Sequence, residues 1–149
     1  MEMVRAALVD ALNEVPNIGI VHAYERYSNT LTELAALYMT GEVLLGWFVT
    51  RGQVVQLAPF AGRRVEQTTW HFTGYRGFVD ATATELEFDD LVDNIRLRFR
   101  TAETFGGAVP WIDDKAGIQV DETSKVLFAG ILCHCAKLSL PTTRYLNEG

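Results

Sequence analysis

Residues 70–99 read WHFTGYRGFVDATATELEFDDLVDNIRLRF, and two periodicities meet inside them. In the first part Trp70, Phe72 and Gly74 fall on one face of an extended chain, and His71, Thr73 and Tyr75 on the other, because side chains alternate along a strand. A strand is predicted over 65–79, with Gly74 and Gly77 marking bulges or close packing. From Thr84 onward the period is helical. Phe88, Leu91, Val92, Ile95 and Phe99 recur at three- and four-residue steps and make one apolar stripe, so a helix is predicted over 84–100. Thr84 and Glu87 have the spacing of a capping box, in which a hydroxyl and a carboxylate satisfy free backbone N–H groups. Acidic residues crowd the first turn, and Arg96, Arg98 and Arg100 the last, as the helix dipole favours.

Toward the N-terminus, residues 42–51 (EVLLGWFVTR) read as a second long strand. The segment up to Arg64 contains Gly52, Pro59 and Gly62 and is expected to be a long hairpin loop, or a hairpin with a flared tip. Thr30 and Glu33 form another capping-box pair. They open a short helix reaching about Met39, which is expected to bury Leu31, Leu34 and Leu37 or Tyr38. Residues 18–27 (IGIVHAYERY) are rich in β-branched and aromatic types and predict a strand. Residues 2–15 predict an amphipathic helix with Val4, Leu8, Ala11, Leu12 and Val15 on its apolar face, stopped by Pro16. Toward the C-terminus, Gly106-Gly107, Pro110 and Asp113-Asp114 predict a loop over 101–117 with Trp111 as an anchor. KVLFAGILCHCAKL at 125–138 reads as the last long strand, and a loose tail is expected from about Pro141. The expected fold is α+β and a single domain over 1–149. It has a mixed or antiparallel sheet of about four main strands, two longer helices packed on one face, and one short helix.

Composition bounds the function. The chain has 149 residues, 48% of them hydrophobic and 21% charged, enough to bury a core without disulfide or metal. The formal net charge of -6 argues against a general nucleic-acid binder, which needs clustered Lys and Arg to neutralise phosphates. No basic leader precedes an apolar run at the N-terminus, so no signal peptide is expected. No apolar stretch is long enough to span a membrane. Cys133 and Cys135 sit two apart on one predicted strand face, a poor geometry for a disulfide. A reducing, intracellular setting is the simpler expectation.

Each candidate for chemistry has a plainer explanation. His22, His71 and His134 fall in three different predicted strands and could converge on a metal, but no HExxH or His-Asp pairing accompanies them. In Cys133-His134-Cys135, alternation sends the imidazole to the face opposite the thiols, so the three cannot ligate one ion from a regular strand. The thiols read as small buried hydrophobes. The pairs Asp89-Asp90, Asp113-Asp114 and Asp121-Glu122 are adjacent and point apart, whereas acid–base work needs carboxylates converging on one bond. P-loop, GxGxxG, GxSxG and CxxC patterns are lacking. The expectation is therefore no catalytic residue, no metal and no cofactor.

Three strings go further. IGIVHAYER after an opening amphipathic helix, the stretch 70–99, and VLFAGILCHCAKLSL near the end together resemble the tail terminator, or tail completion, proteins of long-tailed phages, Mu-like and lambda-like. That resemblance implies a ring, expected to be a hexamer, on the head-proximal end of the tail tube. The ring stops tube polymerisation and offers a surface to the head–tail connector. It implies a place in the virion tail after assembly in the host cytoplasm. Its partners would be other copies of the chain, the tube protein and the connector. DNA would pass through the lumen without specific binding, which an acidic chain suits. The resemblance supplies no residue-level motif.

Interface residues are therefore read from this sequence. A ring subunit needs two lateral surfaces that fit head to tail and a face that docks on the tube, and loops are expected to touch neighbours and tube. In Gly52–Arg64 and Ala102–Gly117, apolar and basic side chains stand among turn formers. Val55, Leu57, Phe60, Arg63, Arg64 and Trp111 are the expected assembly interface. A neck or connector subunit is one alternative. A small enzyme or ligand-binding domain with a site near His71 and Tyr75 is another.

Overall fold

The computed structural model of the chain describes residues 2–60, 63–79, 83–100, 103–112 and 115–146, with side chains left out at 2, 59, 60 and 63. Helix α1 (Glu2–Asn13) leads to strand β1 (Ile20–His22), helix α2 (Leu31–Ala36), and strands β2 (Met39–Thr40), β3 (Val43–Phe60) and β4 (Arg63–Gly77). Helix α3 (Thr84–Arg98) follows, then the short strands β5 (Trp111–Ile112) and β6 (Lys115–Ala116), and finally β7 (Gln119–Phe128) and β8 (Ile131–Leu146). Six strands form one sheet in the order β1-β3-β4-β8-β7, with β2 also on β3, while β5 and β6 pair separately. β1 runs parallel to β3, and the other pairs in the sheet are antiparallel.

This corrects the expected α+β fold of about four strands carrying two long helices. Strands take 52% of the described residues and helices 24%. The difference lies in segments read as irregular. The stretch after Gly52 continues as strand to Phe60, and β4 begins at Arg63, so the expected loop is the far end of a long hairpin. The flexible-looking glycine serves packing there: a Cβ on Gly52 would lie 2.4 Å from the His71 ring. The string 125–138 is two strands. Ala129 (φ 54°) and Gly130 (φ 79°) make a two-residue turn between β7 and β8, with both central residues left-handed as a tight hairpin needs. The expected loose tail is strand through Leu146, which pairs with Arg64. Pro141, Thr142 and Thr143 are buried there; residues 147–149 lie outside the described residues. Conversely, the strand predicted over 18–27 shrinks to Ile20–His22, because only Gly46–Phe48 of β3 accept it.

Alternation divides the core in two. Trp47 and Val49 of β3, Trp70 and Phe72 of β4, and Ala136, Leu138 and Leu140 of β8 meet the stripes of α1 (Val4, Leu8, Ala11, Leu12) and α3 (Phe88, Leu91, Val92, Ile95). Both apolar stripes are buried as their spacing required. Arg98 at the end of α3 ion-pairs with Glu14 and Glu103, tying the helix ends together. On the opposite face Tyr38, Leu44, Phe48 and Cys133 form a smaller core with Tyr75 and Phe128. Tyr38 is fully buried, its phenol bonded to the backbone of Arg26. Of the short helix, Leu34 and Leu37 only pack partly against this cluster, and Leu31 is exposed.

The capping readings divide too. At α2 the Thr30 hydroxyl accepts from the Glu33 N–H at 3.2 Å, while the Glu33 carboxylate accepts from Ser28. At α3 the cap position is Ala83, left-handed and without a side-chain cap bond. Thr84 is used elsewhere: its buried hydroxyl bonds the backbone of Val79 and lies 2.8 Å from His134 Nε2.

Candidate assembly surface

Past Arg51, β3 and β4 continue as an arm flanked by β8. Cross-strand partners on one arm face are Leu57, Val65 and Tyr145 in one row and Val55, Gln67 and Thr143 in the next. A regular antiparallel ladder puts such partners side by side. Leu57 and Tyr145 are 43% and 56% exposed, whereas Val65 between them is buried. The row therefore has an apolar base with two open flanks. Thr143 also joins the segment after α3: its backbone pairs with Val109, and its hydroxyl donates to the carbonyl of Trp111. Trp111, 45% exposed, thus stands at the same end as Val55 and Leu57. The β5–β6 hairpin leans over the sheet there. A cleft of about 190 Å³ lies between Ile112 and Lys115 on one side and Val55, Gln67 and Pro141 on the other.

Val55, Leu57 and Trp111 thus lie at one end of the sheet, with no contact between Trp111 and the other two required by the pairing. Phe60 and Arg63 are paired backbones at the hairpin end, and their side chains lie outside those described. Arg64 follows, exposed. Glu66, nearly buried, is matched by Arg144 at 3.3 Å. Two further features were not anticipated. The outer edge of β3 beyond Phe48 has no strand partner among the described residues, and the same holds for the outer edge of β7. At the opposite end of the sheet Leu127 (76%) and Leu132 (45%), a cross-strand pair, are exposed beside Val79. A Gly following Ala inside KVLFAGIL was the signal for that second tip, masked by an unbroken apolar run.

The groups considered for chemistry stay apart. His22 Nε2 meets the Leu37 carbonyl on β1; His71 lies on β4 beside Gly52; His134 is buried against Thr84, Phe78 and Phe88. Burial, and then Lys125, hold the His134 pKa below its ordinary value. Among the described residues no group of three or more His, Cys, Asp or Glu is placed to hold a metal. Both thiols are buried and free. Burial and the neighbouring Cys135 push Cys133 up to about 11, which leaves it without nucleophilic thiolate near neutrality. Tyr75 is stacked on Phe128 with centroids 4.0 Å apart and is built into the second core. The pair Asp113-Asp114 lies outside the described residues. No described helix is long and apolar enough to cross a membrane.

No protein-family model matches the chain, and no curated protein shows significant similarity to it.

Proposed function

We propose that this chain is a structural phage tail protein, a tail terminator whose copies form a ring at the head-proximal end of the tail tube. There the ring stops tube growth and presents a surface for head joining. The observation that carries the reading is the β3–β4–β8 arm. It extends past the main core with Leu57 and Tyr145 exposed, Trp111 of β5 is exposed at the same end, and an unpaired strand edge lies beside them among the described residues. Exposed apolar rows and open edges are aggregation liabilities in a chain that works alone. They suit a subunit that is covered on assembly. The second exposed end, at Leu127 and Leu132, gives the subunit a further face, as a ring seated between a tube and a connector requires. The three strings that resemble tail terminators support the same reading, and the acidic charge suits a lumen that DNA slides through. Copies would act with the tube protein and the connector, with no catalysis and no cofactor.

The test is location. Tails purified from cells expressing a tagged copy, viewed by electron microscopy with a label on the tag, should carry it at the head-proximal end only. Tails without label, or with label along the tube, would reject the role. Label on the head side of separated tails and heads would favour a neck subunit.

A further inference from the structure

A groove lies at the end of the sheet away from the arm, between α3, the turn after α1 and the start of β3. Its volume is about 590 Å³. Its lining includes the apolar Val43, Leu45 and Leu91 and the polar Arg76, Glu87, Asp90 and Asn94. Glu87 is engaged by Arg76 at 3.4 Å, which leaves Asp90 as the lining carboxylate for an incoming cation. The chemistry of the hairpin end is complementary. Its sequence, VVQLAPFAGRR over 54–64, is an apolar run closed by two arginines. Residues 50–68 hold three arginines and one glutamate, giving +2, so the total of -6 leaves -8 for everything else.

We propose that this groove receives the far end of the β3–β4 hairpin of a second copy of the chain, apolar residues against the apolar lining and arginine against Asp90. The inference rests on the reading of the chain as a ring subunit and names the contact that links neighbours. One copy cannot fill its own groove. Val43 and Leu57 are fourteen residues apart on one strand, on the order of 45 Å at the usual rise. The contact is therefore between unlike surfaces, the type that closes a ring when its rotation divides the circle.

Paired cysteines test it. One chain carries Arg64→Cys and another Asp90→Cys; native Cys133 and Cys135 are buried and do not compete. Mixed under mild oxidant, the two should form the mixed disulfide at least about tenfold faster than either forms its own dimer, the gain that a raised effective concentration gives. Equal rates for all three pairings would overturn the contact. The mass of the wild-type chain in solution separates this from the ring reading. An oligomer of more than two copies with no preferred mixed disulfide rejects the groove and keeps the ring. A preferred mixed disulfide from a chain that stops at two copies keeps the contact and rejects ring closure through it.

Discussion

Gly74 shows how a single atom sets the register of the main core. Trp47 of β3 lies across it, stacked on Phe88 of α3 at 5.8 Å, and a Cβ on Gly74 would sit 2.4 Å from the indole. The indole is fully buried, so it has nowhere to move. Gly74→Ala should cost about 1–3 kcal/mol, the usual range for overpacking, read as a lower urea midpoint. Gly77→Ala, whose Cβ would have 3.5 Å of room, should change the midpoint little. Equal losses would mean the Trp47 packing is misdescribed. Titration of the second core has a definite sign. Burial raises Cys133 to about 11 from 9.0 and Tyr38 to about 12 from 10.0, and it raises Cys135 and Tyr75 as well. The folded state holds these protons after the unfolded chain has released them. Stability contributed by the neutral groups is therefore full below pH 9.0 and is lost as pH rises through the folded values. The slope should not exceed about 1.4 kcal/mol per pH unit for each group. Urea midpoints should fall above about pH 9 and fall less steeply in Cys133→Ala; parallel slopes would clear Cys133 of the effect.

At the scale of elements, the helices were legible and the strand ends were not. The α3 stripe was readable because five large residues recur at helical spacing, and packing obeyed it. Ile95 is fully buried, and Ile95→Ala should lose about 2–5 kcal/mol by the truncation cost of a core aliphatic. A loss below about 1 kcal/mol, within the range of surface changes, would mean that α3 does not seal the core. Strand lengths escaped for a physical reason. Gly52, Pro59 and Pro141 are turn formers locally, but partners across the sheet decide whether a segment stays extended. Gly52 was readable as a break, yet His71 takes the space a side chain would need. Ala129-Gly130 was readable only as part of an apolar run, yet two left-handed residues fold it back. The spacing of Thr84 to Glu87 fits a cap, but the buried His134, invisible from local sequence, claims the hydroxyl instead. Of the expected interface residues, Val55 and Leu57 stand on strand β3, in a segment whose turn formers read as a loop. The groove, the open edges and the Leu127–Leu132 end depend on long-range pairing, which spacing does not encode.

The molecule as a whole is a sheet with more surface than its own core uses. One end carries exposed Leu57, Tyr145 and Trp111, and the other carries exposed Leu127 and Leu132. In the proposed ring, a charge of -6, with the hairpin end basic against an acidic remainder, would favour neighbours arranged end to body over identical surfaces face to face. These features suit a subunit that is finished by its contacts, and the proposed terminator role is a reading of what such an assembly would do. The most direct measurement is the length of tails produced when this chain alone is removed from an otherwise intact assembly, scored by electron microscopy. The account expects tubes that grow well past normal length and do not join heads, with length restored by the wild-type chain but not by a folded variant carrying Arg63→Glu and Arg64→Glu. Tails of normal length that join heads without the chain would contradict it.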